Sequence, residues 1–191
     1  DLLAHKGMAF VVADGISTSR RGREAAETAV ASFLTDYYAT PDAWSPRTSA
    51  QRVIAAINSW MHGQNAALGG FADSDRAREA EGLVTTFTAL ILRDAAAHIL
   101  HLGDGVAARV NAGGLERLTE AHRVPAGGGA HLLARALGMG RHVEIDHSRI
   151  MVQPGDILLL ATDGLGDGLT DREIAQIVHA NPDMSAAARQ M

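Results

Sequence analysis

Cysteine is absent from this 191-residue chain. Its absence excludes disulfides, thiolate metal sites and cysteine nucleophiles together, and fits a reducing cytoplasm. No Lys/Arg stripe is present and the formal charge is −5, which argues against nucleic acid as the main partner. No apolar run approaches the roughly 20 residues that span a bilayer, so no membrane segment is expected here. The opening Asp1-Leu2-Leu3-Ala4-His5-Lys6 has no signal-peptide pattern. Also missing are a Gly-x-Gly-x-x-Gly turn after the first strand, a phosphate-cradling Gly-x-x-x-x-Gly-Lys loop, a His-Glu-x-x-His pair and any internal repeat. What remains is a chain that is 47% hydrophobic and 20% charged. It has enough apolar residues for one substantial core and is too short for two.

Three apolar or strand-like runs end in Asp-Gly: Phe10-Val11-Val12-Ala13-Asp14-Gly15, His98-Ile99-Leu100-His101-Leu102-Gly103-Asp104-Gly105 and Ile157-Leu158-Leu159-Leu160-Ala161-Thr162-Asp163-Gly164. Taken singly, Asp-Gly is an ordinary hairpin turn, because both residues tolerate positive φ. The fourth copy, Asp167-Gly168, follows no strand and is read as a turn. The other three read differently as a set. A helical pattern follows the first, and the third closes an unbroken apolar run that a one-sided surface hairpin has no need of. Buried strands that end in carboxylates can bring rigidly held oxygens to one point, the donor type that Mg²⁺ and Mn²⁺ prefer. Glycine after each Asp would let the backbone turn sharply and approach a metal closely. The expectation is a carboxylate-built, multi-metal phosphoester hydrolase.

The rest of the chain sets a frame for those ends. Residues 8–13 read as a strand buried on both faces. Ala26, Ala29, Val30, Phe33 and Tyr37 recur at helical spacing, and Ser45-Pro46 opens a second helix with Val53, Ile57, Trp60 and Met61 as its apolar stripe. Leu68 to Gly82 reads as a loop. Strands follow over 83–92, 95–102, 106–110 and 115–118, the last pair turning at Gly113-Gly114. Residues 119–140 read as a mobile excursion with a little helix, and strands resume over 143–152 and 157–162. Thr170-Asp171-Arg172-Glu173 is a capping-box pattern opening a helix. Early helices among hairpin-linked strands, then a terminal helix, make an α+β layered domain on antiparallel sheets.

Five segments then carry a family resemblance: Val11-Val12-Ala13-Asp14-Gly15 with Gly22 and an Ala-rich helix; Thr85-Thr86 leading a core strand; His101-Leu102-Gly103-Asp104; Leu118-Thr119-Glu120-Ala121-His122 followed by Arg135-Ala136-Leu137-Gly138; and Pro154-Gly155-Asp156-Ile157-Leu158-Leu159-Leu160-Ala161-Thr162-Asp163-Gly164. In this order they resemble the bacterial metal-dependent protein serine/threonine phosphatases of the PP2C (PPM) family. The resemblance implies a four-layer αββα sandwich of two antiparallel sheets flanked by helices. It implies two or three divalent cations, Mg²⁺ or Mn²⁺, and phosphorylated proteins as substrates. By it, Asp14 bridges two metals, the Gly15 carbonyl binds one of them, Asp163 binds the other, and Asp104 contributes to an additional metal. Asp14 and Asp163 thus carry catalysis through the water their cations activate. Residues 1–191 are expected to form one such domain, incomplete at both ends.

Two departures stand out. Ser19 stands where the family has a histidine proposed as general acid, and Gly105-Val106 follows Asp104 where Ser-Arg is usual. The Ile16-Ser17-Thr18-Ser19 variant also resembles the phosphatase half of bacterial phosphatase–kinase fusions, which adds a fused or cognate Ser/Thr kinase to the implied partners. The competing reading is a catalytically weak regulatory or phosphoprotein-binding domain, favoured by Ser19 and opposed by the retained Asp14 and Asp163, since carboxylates buried without cations are costly. A hydrolase of some other phosphoester is a further alternative. Arg20, Arg21 and Arg23 could meet a phosphate but read as solvated residues of a first helical turn. His122 reads as a surface-loop residue, and Trp44 and Trp60 as packing residues.

Overall fold

Apolar runs broken by tight turns give antiparallel pairing throughout, and the helical stripes cover the resulting sheets. The computed structural model describes residues 5–68, 81–126 and 131–191. Among these residues the chain forms β1 (Met8–Val12), α1 (Gly22–Ala39), α2 (Pro46–Leu68), β2 (Phe87–Arg93), β3 (Ala96–Leu102), β4 (Val106–Asn111), β5 (Gly114–Arg117), β6 (Arg123–Pro125), β7 (His131–Leu133), β8 (Asp146–Met151), β9 (Ile157–Ala161), α3 (Gly164–Gly168), α4 (Asp171–Ala180) and α5 (Met184–Gln190). The first sheet has the order β1-β2-β3-β8 and the second β5-β4-β9, with β6-β7 as a separate ribbon. Every pairing is antiparallel, with registers such as Phe87 opposite Leu102 and Val106 opposite Ala161. No described helix is long and apolar enough to cross a membrane.

α1 buries Gly22, Ala25, Ala29, Phe33 and Tyr37, which recur at intervals of three or four as one helical face requires. With Ile54 and Met61 of α2 they meet Phe87, Ile91, Leu100 and Leu102 of the first sheet, forming the largest core. Phe33 stacks on Tyr37 and meets Phe87 edge-on, the geometries that aromatic quadrupoles favour. Tyr37 donates its hydroxyl to the Lys6 carbonyl at 2.7 Å. The buried Lys6 ammonium is satisfied in turn by Thr40 O, Thr40 Oγ1 and Pro41 O at 2.6–2.9 Å, which offsets the cost of taking a charge out of water. The other face of the first sheet meets the second through Leu90, Ala97, Ile99 and Ala107, flanked by Leu158 and Leu160. α4 then covers the second sheet with Ala175 and Val178 against Val110. The layers run helices, sheet, sheet, helix, the αββα sandwich expected from the sequence. The capping box is present: Thr170 Oγ1 accepts the Glu173 N–H, and the Glu173 carboxylate accepts the Thr170 N–H.

Several expectations need correction. Among the described residues β1 is an edge strand, not one buried on both faces: it pairs with β2 alone, and Met8 and Phe10 are about half exposed. Trp60 is likewise half exposed, while Ala50, Val53, Ile54, Ile57 and Met61 make the α2 stripe. Trp44 carries the Arg52 guanidinium 4.8 Å above its ring, a cation–π contact. The described part of 119–140 is the β6–β7 ribbon and contains no helix. Asp167-Gly168 lies in the single turn of α3, not in a hairpin turn. Most of the loop read over 68–82, and the glycine triplet 127–129, lie outside the described residues.

Candidate active site

The three sequence-predicted carboxylates leave the sheets at the ends of β1, β3 and β9, and they line one cleft. Thr86 fixes the first. Its Oγ1 accepts the Asp14 N–H at 3.0 Å, and its own N–H donates to the Asp14 carbonyl at 2.9 Å. The same side chain stands against Gly103, where an added Cβ would lie 2.7 Å from Thr86 Cβ and Cγ2. Gly103 has φ +106°, a conformation that side chains rarely adopt. One threonine therefore braces both Asp14 and the Gly103-Asp104-Gly105 crossover that carries the chain from the first sheet to the second. Asp163 follows β9 in helical conformation (φ −60°, ψ −29°) as the residue before α3. Asp14, Gly15, Asp104 and Asp163 share a cleft of about 630 Å³ with Thr86 and Arg123.

The glycines behind these carboxylates are not turn glycines. Among the described residues positive φ falls on Gly7, Asp94, Gly103, Gly114, Gly138 and Gly155, and on none of Gly15, Gly105 or Gly164. The hairpin reading of the three doublets fails on that ground, because the two-residue turns need positive φ in one or both central positions. Gly15 is demanded by packing instead: a Cβ there would meet the Gly22 carbonyl oxygen at 2.0 Å, where the loop after Asp14 presses on α1. Gly105 is pressed by Thr88 Oγ1 at 2.9 Å, whereas Gly164 faces open space.

The electrostatics of the cleft are those of crowded acids. Burial raises the Asp14 pKa above the usual carboxylate value, and the charges of Asp163 and Asp104 raise it further. Arg123 answers part of that crowding: its Nε donates to Asp104 Oδ2 at 2.9 Å and its Nη2 to Asp163 Oδ2 at 2.8 Å. The guanidinium thus ties a carboxylate from the end of the first sheet to one from the end of the second. In this arrangement no three His, Asp or Glu side chains among the described residues are gathered to hold one ion. The donors nonetheless fit a hard divalent cation in kind. They are carboxylate and carbonyl oxygens converging on one cleft, and the mutual repulsion that raises the Asp14 pKa is what a cation would relieve.

The Protein phosphatase 2C family model matches residues 3–189. The chain belongs to the protein phosphatase 2C family. The serine/threonine phosphatase stp of Listeria welshimeri is 27% identical over 200 residues, covering 93% of this chain and 74% of its own. Among solved structures, the PPM Ser-Thr phosphatase MsPP from Mycobacterium smegmatis in complex with cacodylate superposes with TM-score 0.75 at 26% identity, covering 96% of this chain and 79% of that one. The catalytic domain of the serine/threonine protein phosphatase PstP in complex with two manganese ions gives 0.77 at 22% identity, over 95% and 78%. By family, then, this is a serine/threonine protein phosphatase of the PPM type.

Within this 2C-type phosphatase, several residues stand differently from their sequence reading. Ser19, at the position where the family has histidine, is buried and donates to the Gly82 carbonyl at 2.6 Å while accepting the Arg21 N–H at 3.1 Å. Its hydroxyl is spent on tying the loop before α1 to Gly82. Arg21 and Arg23 pair with Glu24 and Glu27 on the helix surface, as solvated first-turn residues would. His122 is not a surface-loop residue. Its ring is largely buried, its Nδ1 accepts the Gly103 N–H at 3.1 Å, and its backbone N–H donates to the Gly103 carbonyl at 2.8 Å. With Nδ1 accepting, Nε2 carries the proton and donates to Asp146 Oδ2 at 3.0 Å, and Arg135 Nη1 donates to Asp146 Oδ1 at 2.9 Å. Behind it His101 accepts from the Thr88 hydroxyl at Nδ1 and donates from Nε2 to the Glu120 carbonyl, and burial pulls its pKa down to about 4. Arg123 was missed because a lone arginine beside a histidine carries no local signal; its partners are 19 and 40 residues away.

Proposed function

We propose that this phosphatase hydrolyses phosphoserine and phosphothreonine in proteins by a metal-activated water. The observation that carries the reading is the convergence of Asp14, Gly15, Asp104 and Asp163 on one cleft within the 2C family frame. Asp14 would bridge two Mg²⁺ or Mn²⁺ ions, with the Gly15 carbonyl on one and Asp163 on the other; Asp104 would serve an additional ion. When bound, such ions lower the pKa of a water and neutralise phosphate oxygens during in-line displacement. The chain's own contribution is positioning. Thr86 grips the Asp14 backbone through both its N–H and its carbonyl, so the main chain that carries the carboxylate is fixed before substrate arrives. The manganese in the PstP structure and the serine/threonine phosphatase activity named for the Listeria relative support the choice of ion and substrate class. One phosphatase domain over residues 1–191, a cytoplasmic setting and a fused or cognate Ser/Thr kinase belong to the same proposal.

The test is turnover of a phosphothreonine peptide with Mn²⁺, measured as released phosphate. Activity should vanish with chelator, and Asp14→Asn should lower it by on the order of a hundredfold or more. Mn²⁺ binding without turnover would establish the regulatory, phosphoprotein-binding reading instead. Turnover of nucleotides but not of phosphopeptides would establish a different phosphoester substrate.

A further inference from the structure

We infer that Arg123 is an internal counter-cation that competes with divalent metal for Asp104 and Asp163, so that metal loading requires this side chain to be displaced. The inference rests on the proposed metal-dependent reading of the site. Three observations carry it. First, Arg123 takes the Oδ2 atoms of both carboxylates at 2.9 and 2.8 Å, two charge-assisted bonds from one planar fork. A divalent cation drawn to both Oδ2 atoms would meet the guanidinium in the same space, and the two positive charges repel. Second, the arginine is held there by built structure. The preceding residue, His122, clasps Gly103 with both its backbone N–H and its ring Nδ1, and its Nε2–H is anchored on Asp146. Gly103 is the residue before Asp104, so the base of the Arg123 side chain is locked to the base of its partner. Third, the Asp104 side chain is only 15% exposed and Asp163 and Arg123 are each 34% exposed, so solvent screens the pairs incompletely.

The consequence is a linkage. A state in which Arg123 covers the carboxylates does not bind the metal, and the apparent metal affinity is reduced to the intrinsic value times the fraction of molecules in which they are uncovered. Removing the guanidinium raises that affinity and, by the same logic, leaves the metal-free carboxylates to repel one another. Arg123→Ala should therefore bind Mn²⁺ about tenfold more tightly in calorimetric titration and by the loss of free-Mn²⁺ electron resonance signal. Arg123→Lys, which keeps the charge and loses the fork, should fall between. Thermal unfolding without metal should come at lower temperature in Arg123→Ala, and the rise on adding Mn²⁺ should be larger than in the native chain. Asp163→Asn is the reference: it should weaken Mn²⁺ binding whether or not Arg123 is present. If Asp163→Asn weakens binding while Arg123→Ala binds Mn²⁺ no more tightly than the native chain, the inference is overturned and the metal-dependent reading stands. If neither the native chain nor Arg123→Ala binds Mn²⁺, both fall. Should Arg123→Ala fail to fold, Arg123→Gln and Arg123→Lys carry the same comparison.

Discussion

The two sheets that meet at the cleft are built to different standards. The first is backed by two long helices, and Phe33, Tyr37, Phe87, Ile91, Leu100 and Leu102 between them are fully buried. The second is backed mainly by α4, its own core cluster has three buried members, and every residue of β9 keeps some exposure. Asp14 and Asp104 are held on the first sheet's side, by Thr86 and by the clasp of His122 on Gly103, whereas Asp163 hangs from the thinner second sheet. Arg123 is the bolt between them. The difference teaches that a site shared by two layers is as well placed as the weaker layer allows.

The largest effect that would sharpen this contrast is in the two cores. Leu100→Ala, fully buried in β3, should cost about 3–5 kcal/mol in denaturant unfolding, while Leu158→Ala, the same deletion at a partly exposed position of β9, should cost about 1–2 kcal/mol. Equal losses would break the comparison. Next comes acid sensitivity. The folded-state pKa of His101 is about 4, below its ordinary value of 6.5, so the unfolded chain takes up a proton first as pH falls. Stability is full above about pH 6.5 and declines down to about pH 4, by on the order of 3 kcal/mol from this residue. Burial lowers the His98 and His147 pKa values as well and adds to the same slope. His101→Gln should flatten the dependence of unfolding temperature on pH between 7 and 5; an unchanged slope would show that the buried imidazole stays neutral at no cost. The Asp146 carboxyl, held low by its hydrogen bond from His122, adds stability that disappears only below the usual carboxylate range. The smallest effect is at Thr86. Thr86→Val keeps the shape against Gly103 and leaves the Asp14 N–H without its acceptor, which should cost about 1–2 kcal/mol of stability and roughly tenfold in Mn²⁺ affinity. An unaltered affinity would mean that Asp14 is positioned without it.

The comparison also separates what could be read along the chain from what could not. The three Asp-Gly ends, the α1 stripe, the hairpins and the Thr170 capping box each have their signal within a few residues, in periodicity, in a turn or in a spacing of three. The edge position of β1 was illegible because Met8-Ala9-Phe10-Val11-Val12 is as apolar as a central strand; exposure depends on how many strands lie beyond it. β6 and β7 were illegible because three-residue strands have no period to detect. His122, Arg123 and Thr86 act on partners remote in sequence, and Ser19 is buried by a carbonyl 63 residues away.

By itself the sequence determined the layer class, the longer strands and their hairpins, and the three carboxylates at strand ends, because these follow from local pattern and from the chemistry of each side chain. Only the tertiary structure decided that those donors share one cleft, that a threonine and a histidine brace them, and that an arginine lies across two of them. Such contacts join residues whose proximity is created by sheet pairing and layer packing, and no window of sequence contains it.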